Sequence, residues 1–212
     1  MYRNEKFNRW RRHPWHGLYA RMEDAPEDVV QVYVEMLPTD VVKYELDKSS
    51  GFLVVDRPQR TTSSPPALYG FIPRTYCADE VAKRCPGVTE ADHDPLDICV
   101  YSERHINRAD VVLNARVVGG IQMIDGGEAD DKIIAILEGD NIWGNAQDIA
   151  ELPPIKVERL QHYFATYKMV PGKEIDIKVD HVYGREEALA VIAAAEKDYW
   201  AHYGELHEQQ RI

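Results

Sequence analysis

The chain has 212 residues, a mass of 24.3 kDa and a formal net charge of −11 at pH 7. Its hydrophobic fraction of 44% is sufficient for one sizeable core. No apolar run approaches the roughly 20 residues of a membrane helix, and the N-terminus lacks the apolar stretch of a secretory signal. We therefore expect a cytoplasmic protein with no membrane partner. The three cysteines include no CxxC pair, which argues against a disulfide framework or a zinc site.

Positive charge is concentrated at the N-terminus, where residues 1–22 carry six Arg or Lys side chains and one acidic side chain. The acidic remainder repels nucleic-acid phosphates, so no nucleic-acid partner is expected. We interpret residues 1–28 as a basic extension that packs on its own domain or on a neighbouring subunit, because it contains Trp10, Trp15 and Leu18. An RNA-binding arm is the alternative. Residues 29–212 are expected to form a single catalytic domain.

Alternating apolar and polar residues predict a series of short strands. Residues 29–36 carry apolar side chains at every second position, with Glu35 expected on the outer face. Residues 42–46 and 52–57, joined by a Ser-Ser-Gly turn, predict a β-hairpin with one charged face. Further strands, separated by Gly, Asp and Asn turns, are predicted at residues 98–100, 111–118, 121–124, 132–137 and 175–180.

Helical periodicity is confined to the C-terminal part of the chain. Apolar residues recur at helical spacing from Val157 to Tyr167 and from Ala188 to Tyr203, which predicts two amphipathic helices that flank the last strand. Several short strands with brief connections favour a closed or nearly closed antiparallel barrel over a βαβ sheet. The predicted fold class is therefore mainly β with flanking helices (α+β).

Clustered carboxylates are the side chains in this sequence that indicate chemistry. Asp92, Asp94 and Asp97 precede one apolar run, and the acid-rich stretch MIDGGEADDKIIAI leads into another. Carboxylates this close ionise together only if cations neutralise them, and Mg²⁺ binds carboxylate and phosphate oxygens. Metal-dependent phosphoryl chemistry and plain solvated acidic loops both fit these residues. The candidate phosphate ligands near other apolar runs are Lys43, Arg57, Lys132 and Lys168.

Five sequence blocks resemble, in order, the signature blocks of the soluble family I inorganic pyrophosphatases. They are VKYELDKSSGFLVVDRP, PPALYGFIPRTY, DHDPLD, MIDGGEADDKIIAI and HYFATYK, within roughly residues 29–182. The resemblance implies a five-stranded OB-like β-barrel with two or more peripheral α-helices. It implies hydrolysis of inorganic pyrophosphate to two orthophosphates, by direct in-line attack of water activated by several Mg²⁺ ions, for which Mn²⁺ is a candidate substitute. It also implies a homo-oligomer.

The resemblance further assigns roles to individual residues. Asp94 is the expected general base, and Pro95 restricts it to extended backbone geometry. Tyr69 has a competing interpretation as a core aromatic residue, and Lys132 and Lys168 have one as surface cations. The expected metal ligands are Asp92, Asp97, Asp125, Asp130 and Glu35, with Asp97 as a candidate bridge and Glu35 acting through water. The expected phosphate ligands are Lys43, Arg57, Tyr69, Lys132, Tyr167 and Lys168.

Two features depart from the family pattern. Pro65-Pro66 stands where many members have Tyr-Pro, so one active-site tyrosine is missing. The segment Cys77–Ala91 is longer than in compact members, and we expect it at the rim of the site or at a subunit contact. Two alternative functions remain open. One is a Mg²⁺-dependent phosphohydrolase acting on nucleotides or polyphosphate, and the other is a non-catalytic OB-type binding module, which would require a basic, aromatic face.

Overall fold

The computed structural model describes residues 12–170, 172 and 175–209. The strands are β1 (Val29–Met36), β2 (Val42–Leu46), β3 (Leu53–Pro58), β4 (Leu68–Phe71), β5 (Asp97–Tyr101), β6 (Val111–Asp125), β7 (Glu128–Ala129), β8 (Lys132–Leu137) and β9 (Ile177–Gly184). The helices are α1 (Asp79–Ala82), α2 (Pro154–Thr166) and α3 (Arg185–Gln209), with a 3-10 helix at Ile149–Glu151. The two predicted C-terminal helices, on either side of the last strand, are confirmed.

Five of the strands form a closed ring. Strand β1 pairs with β4, β4 with β5, β5 with β8, β8 with β6, and β6 returns to β1. Strands β7 and β9 add to β6, while β2 and β3 form a separate hairpin. This ring with helices α2 and α3 outside it confirms the predicted OB-like architecture. One pair differs from the expected antiparallel barrel, because β5 and β8 are parallel.

Strand β6 replaces two predicted strands and the glycine turn between them. Its 15 residues run through Gly119 and Gly120 without interruption. A Cβ atom on Gly120 would lie 2.3 Å from the ring of Tyr183, and one on Gly119 would lie 2.5 Å from the Tyr183 carbonyl oxygen. The two glycines therefore let β9 approach β6 closely instead of forming a turn. Strand β9 itself occupies residues 177–184, later than the predicted 175–180.

Glu35 lies on the outer face of β1, as predicted, but it is buried there. Its exposed fraction is 6%, and its carboxylate accepts a hydrogen bond from the Leu46 amide at 2.7 Å. Tyr33, on the same side of the strand, is fully buried against Leu46 and Phe71. The hairpin of β2 and β3 covers this side, so β1 is buried on both faces. The alternating pattern alone does not reveal a covering element.

Aliphatic side chains fill the barrel, and a second apolar cluster lies beneath α2. The first cluster includes Val32, Ile98 and Ile133, and the second includes Met123 and Phe164. In the described parts of the chain, no helix combines the length and hydrophobicity needed to span a bilayer. The two clusters leave charged side chains to the ends of strands and to the hairpin, where the candidate site lies.

The described part of the N-terminal segment, residues 12–28, packs on the barrel. Trp15 is 2% exposed and donates from its indole nitrogen to the Thr75 carbonyl oxygen at 2.8 Å. Residues 1–11 of the predicted basic extension lie outside the described residues, and its boundary at residue 28 stays a prediction.

The segment Cys77–Ala91 contains α1 and contacts α3. The Asp198 carboxylate of α3 accepts hydrogen bonds from the amides of Ala78, Glu80 and Val81 at 3.0–3.1 Å.

We expect Gly120→Ala to destabilise the protein by about 1–3 kcal/mol, because its methyl group would overlap the Tyr183 ring and overpack the contact of β6 with β9. Urea denaturation monitored by circular dichroism measures this loss. The matched control is Gly204→Ala in α3, where the new Cβ would lie 3.9 Å from Trp200. That variant is expected to be neutral or slightly stabilising. Equal stability of the two variants would contradict the packing argument.

Candidate active site

A cleft of about 440 Å³ brings together all of the predicted site residues except Glu35. The predicted residues in its lining are Lys43, Arg57, Tyr69, Asp92, Asp94, Asp97, Asp125, Asp130, Lys132, Tyr167 and Lys168. The lining also includes residues that the sequence analysis did not identify, namely Met36, Gln59, Gly126, Glu128, Tyr163 and Phe164. The structure therefore places the two acidic stretches and the predicted cations around one space.

Three carboxylates meet at one side of this cleft. Asp92, Asp97 and Asp130 each offer an oxygen atom, and these atoms lie within 4.8 Å of one another. Their convergence follows from parallel pairing, since Ala91 bridges Ala129 immediately before Asp92 and Asp130. The same direction continues in β5 and β8, where Asp97 pairs with residue 132. Two stretches distant in sequence thus run side by side and place their acids together.

Lys132 is the buried cation of this carboxylate group. It is 2% exposed, and its ammonium group contacts the carboxylates of Asp97 and Asp130. Burial opposes its charge, but these two aspartates raise the pKa of Lys132 well above its usual value. The Tyr69 hydroxyl donates to Asp97, so this ring has a polar role as well as a packing one. The interpretation of Lys132 as a surface cation is wrong.

The carboxylate group has more negative charge than Lys132 balances. Burial, followed by the nearby Asp130 carboxylate, raises the pKa of Asp92 to about 9. Burial also raises the pKa of Asp97. Without another cation, burial and this neighbouring negative charge favour the protonated form of Asp92. A divalent ion would reverse this preference, and an all-oxygen donor set suits a hard ion such as Mg²⁺ or Mn²⁺.

Partly exposed cations form another side of the cleft. Lys43 pairs with Arg57 across the hairpin of β2 and β3, so both lie at one position along it. Lys43 donates to Glu45 at 2.6 Å and lies 3.2 Å from Asp56, which Arg57 also contacts. Lys168, just after α2, contacts Asp125 at the end of β6. These cations are held by surface carboxylates, and they remain accessible to an anion.

Helix α2 contributes aromatic side chains to the cleft. Tyr163 and Tyr167 stack with ring centroids 5.4 Å apart. Burial raises the pKa of Tyr163 to about 12 and raises that of Tyr167 as well, so both keep their protons as hydrogen-bond donors. Tyr163 was not among the predicted site residues. Its position four residues before Tyr167 places both on one helix face, and this spacing was the available signal.

Glu35 lies behind the cleft, where burial, despite the hydrogen bond from Leu46, raises its pKa to about 8. Its role as a metal ligand through water stays a prediction. Asp94 lines the cleft, and Lys48 contacts its carboxylate. Lys48 was not predicted, and nothing in the local sequence pattern distinguishes it from other turn lysines.

Comparisons with known proteins agree with this geometry. The family model described as inorganic pyrophosphatase matches residues 32–200. The chain is 43% identical over 197 residues to an inorganic pyrophosphatase of Chlamydia trachomatis, covering 88% of this chain and 93% of that protein. It is 36% identical over 191 residues to soluble inorganic pyrophosphatase 2 of Chlamydomonas reinhardtii, covering 90% of each. The crystal structure of an inorganic pyrophosphatase from Thermus thermophilus is similar with a TM-score of 0.74 at 29% identity, covering 88% of this chain and 98% of that one.

We expect Lys132→Met to lower the free energy of unfolding by about 3–5 kcal/mol in the presence of EDTA, because it leaves the buried Asp97 and Asp130 carboxylates without their cation. Urea denaturation in EDTA measures this loss. Lys178→Met is the matched control, since Lys178 pairs with Asp180 at the surface and is 66% exposed. A loss below about 1 kcal/mol for Lys132→Met would contradict the role of the buried pair.

Proposed function

The chain belongs to the inorganic pyrophosphatase family, and we propose that it hydrolyses inorganic pyrophosphate to two orthophosphates in the cleft described above. One observation supports this cleft as the site of hydrolysis. Asp92, Asp97 and Asp130 gather within 4.8 Å in the same space as several accessible cations. A divalent metal ion complements the carboxylate side of this cleft, and a small anion with several negative charges complements the side with the cations.

Membership of this family implies use of divalent metal, and we infer that the metal is Mg²⁺, with Mn²⁺ as a candidate substitute. Asp92, Asp97 and Asp130 would hold the principal ions. Asp125 would hold a further ion, and Glu35 would act through water. The chemistry that bound Mg²⁺ supplies is acidification of the attacking water and neutralisation of phosphate charge.

Asp94 is the proposed general base. It lies two residues from Asp92 on one side and three from Asp97 on the other, and its side chain lines the same cleft. A carboxylate at this place accepts the proton of the attacking water as the bond from water oxygen to phosphorus forms, while the bond from phosphorus to the bridging oxygen breaks and the second phosphate leaves. Because Pro95 restricts the backbone of Asp94, the base has a limited range of orientations.

The remaining polar side chains bind and orient the phosphates. Lys43, Arg57 and Lys168 are accessible cations, and Arg57 can bind two phosphate oxygens at once. Tyr69 and Tyr167 supply hydroxyl donors. Phosphoryl transfer depends mostly on positioning and on stabilising charge that develops on phosphate oxygens, which fixed cations and hydroxyls provide. Lys132 orients the aspartates and is within reach of the same space.

A phosphohydrolase acting on nucleotides or polyphosphate is the alternative within enzymes. A non-catalytic nucleic-acid module has less support, because the cleft contains a buried group of carboxylates, which repels a phosphate backbone. Assembly as a homo-oligomer and a cytoplasmic location remain predictions.

We expect phosphate release from pyrophosphate in the presence of Mg²⁺, loss of this activity in excess EDTA, and recovery when Mg²⁺ is restored. A colorimetric phosphate assay on the purified protein measures all three. ATP and tripolyphosphate at equal concentration serve as comparison substrates, and much slower release from them is expected. A clear preference for ATP would favour the nucleotide alternative, and no release from any of the three would contradict the proposed function.

We expect Asp94→Asn to lower kcat by about 10²- to 10⁴-fold, the usual contribution of a positioned general base. Affinity for Mg²⁺, measured by isothermal titration calorimetry, is expected to change little because Asp94 is outside the carboxylate group of Asp92, Asp97 and Asp130. Asp24→Asn at an exposed position is the matched control. Turnover like that of the control would remove Asp94 from the mechanism.

A further inference from the structure

Lys48 contacts the carboxylate of Asp94 but does not line the cleft. We propose that Lys48 is a positioning residue for Asp94, and that His13 and Trp15 of the N-terminal segment fix both Lys48 and the chain beside Asp94. The proposal rests on the proposed function, in which Asp94 is the general base. Lys48 acts here through Asp94 and touches neither substrate nor metal.

The backbone on either side of Asp94 is held by hydrogen bonds. The Asp94 carbonyl oxygen accepts from the Cys77 amide at 2.9 Å, and the His93 amide donates to the Cys77 carbonyl oxygen at 3.0 Å. The Asp94 amide donates to the Asp92 carboxylate at 3.1 Å. These bonds fix where the Asp94 side chain begins. They do not involve the Asp94 carboxylate itself, which within the described part of the chain is contacted by Lys48.

Lys48 belongs to a turn whose backbone is well defined. The Asp47 carboxylate accepts from the Ser50 amide at 2.7 Å and from the Ser49 hydroxyl at 2.8 Å, as in an Asx-type turn. Gly51, with a φ of +72°, closes the turn by donating to the Asp47 carbonyl oxygen at 2.8 Å. The stem of Lys48 therefore starts from a fixed point, which lets a flexible side chain serve as a restraint.

The N-terminal segment contacts this turn through the His13 ring. The amides of Trp15 and His16 donate to Nδ1 of His13 at 3.2 and 3.3 Å, so this nitrogen is an acceptor. The other ring nitrogen, Nε2, then carries the proton and donates to the Lys48 carbonyl oxygen at 3.2 Å. The His13 ring also packs on Gly51, where a Cβ atom would lie only 2.8 Å from it. The turn and the segment are thus shaped to fit each other.

The same segment also reaches the chain on the other side of Asp94. Trp15 donates to the Thr75 carbonyl oxygen at 2.8 Å, and the Thr75 hydroxyl accepts from the Leu96 amide at 2.9 Å. Leu96 is two residues after Asp94. Residues 13–15 therefore support both the turn that bears Lys48 and the chain that bears Asp94, which fixes the distance between the two side chains.

The pair of Lys48 and Asp94 contributes little to stability. Their side chains are 41% and 39% exposed, and exposed ion pairs stabilise by about 0–1 kcal/mol. Substitution of Lys48 is therefore expected to leave the fold intact. A change in the orientation of the base, in contrast, reduces the rate of the chemical step without weakening substrate binding, because Lys48 lies outside the substrate space.

The test compares Lys48→Met, Lys48→Arg and His13→Ala in the Mg²⁺-dependent phosphate-release assay. We expect Lys48→Met to lower kcat about tenfold with KM changed less than about twofold, and Lys48→Arg to recover most of the loss. His13→Ala is expected to lower kcat about threefold. The double variant His13→Ala with Lys48→Met is expected to be no slower than Lys48→Met, because both changes act through one contact.

Lys83→Met is the matched control, since Lys83 forms a surface pair with Glu80 away from the cleft. Circular dichroism and thermal denaturation check that each variant is folded. A kcat for Lys48→Met like that of the control would overturn the proposal, as would a loss confined to KM, which would make Lys48 a substrate ligand. Additive losses in the double variant would overturn the role of His13. Failure of the proposed function is distinguishable, because the unaltered protein would then release no phosphate from pyrophosphate.

Discussion

The buried contact between Lys132 and the carboxylates of Asp97 and Asp130 is the interaction on which the rest of the site depends. Carboxylates buried this close are costly to ionise, and one internal cation offsets only part of that cost. The remaining negative charge leaves a group of oxygen atoms that could hold a divalent metal ion. In the proposed function, the residues around it divide into those that keep the acids together and those that would bind the phosphates.

The parallel direction of β5 and β8 brings Lys132 and the two aspartates into contact. In a ring that is otherwise antiparallel, β5 and β8 are parallel, so the residues that enter both strands arrive from the same side. The acidic stretch before β5 and the acidic stretch before β8 are therefore neighbours. An antiparallel pairing would have placed Asp97 and Lys132 at opposite ends of the ladder. The parallel pair explains why the two acid-rich stretches belong to one site.

Much of this could be predicted from the sequence, where local patterns carry the information. Period-two alternation identified residues 29–36 as a strand, a short apolar run identified residues 132–137, and helical spacing identified the two helices, because each pattern reflects which side chains of a local element face a core. The resemblance to the pyrophosphatases named the residues that line the cleft, since the family motifs are short and their acids stand next to strands. These local patterns indicate whether a residue belongs to a strand or a helix. They do not indicate which other element packs over it.

The features that were not predicted all depend on contacts between elements that are distant in sequence. Glu35 lies on the predicted outer face of β1, but its burial was not predicted because the hairpin that covers it is a separate element. Gly119 and Gly120 seemed to form a turn because the close approach of Tyr183 comes from residues far along the chain. The contact of Lys48 with Asp94 joins residues 46 positions apart, and no periodicity reports such a pair. Each of these features is a long-range contact that the neighbouring sequence does not indicate.

The parallel pair also has a consequence for the order in which the protein folds. Asp97 and Lys132 are 35 positions apart, and β6 lies between their strands in sequence while pairing with β8. Loop closure over this distance has to precede the contact, and non-local pairing of this kind is slow to form. An isolated peptide carrying DHDPLD would therefore lack the Asp130 oxygen and the Lys132 charge that complete the group. The complete group of oxygen atoms therefore exists only after the stretches that lead into β5 and β8 have paired.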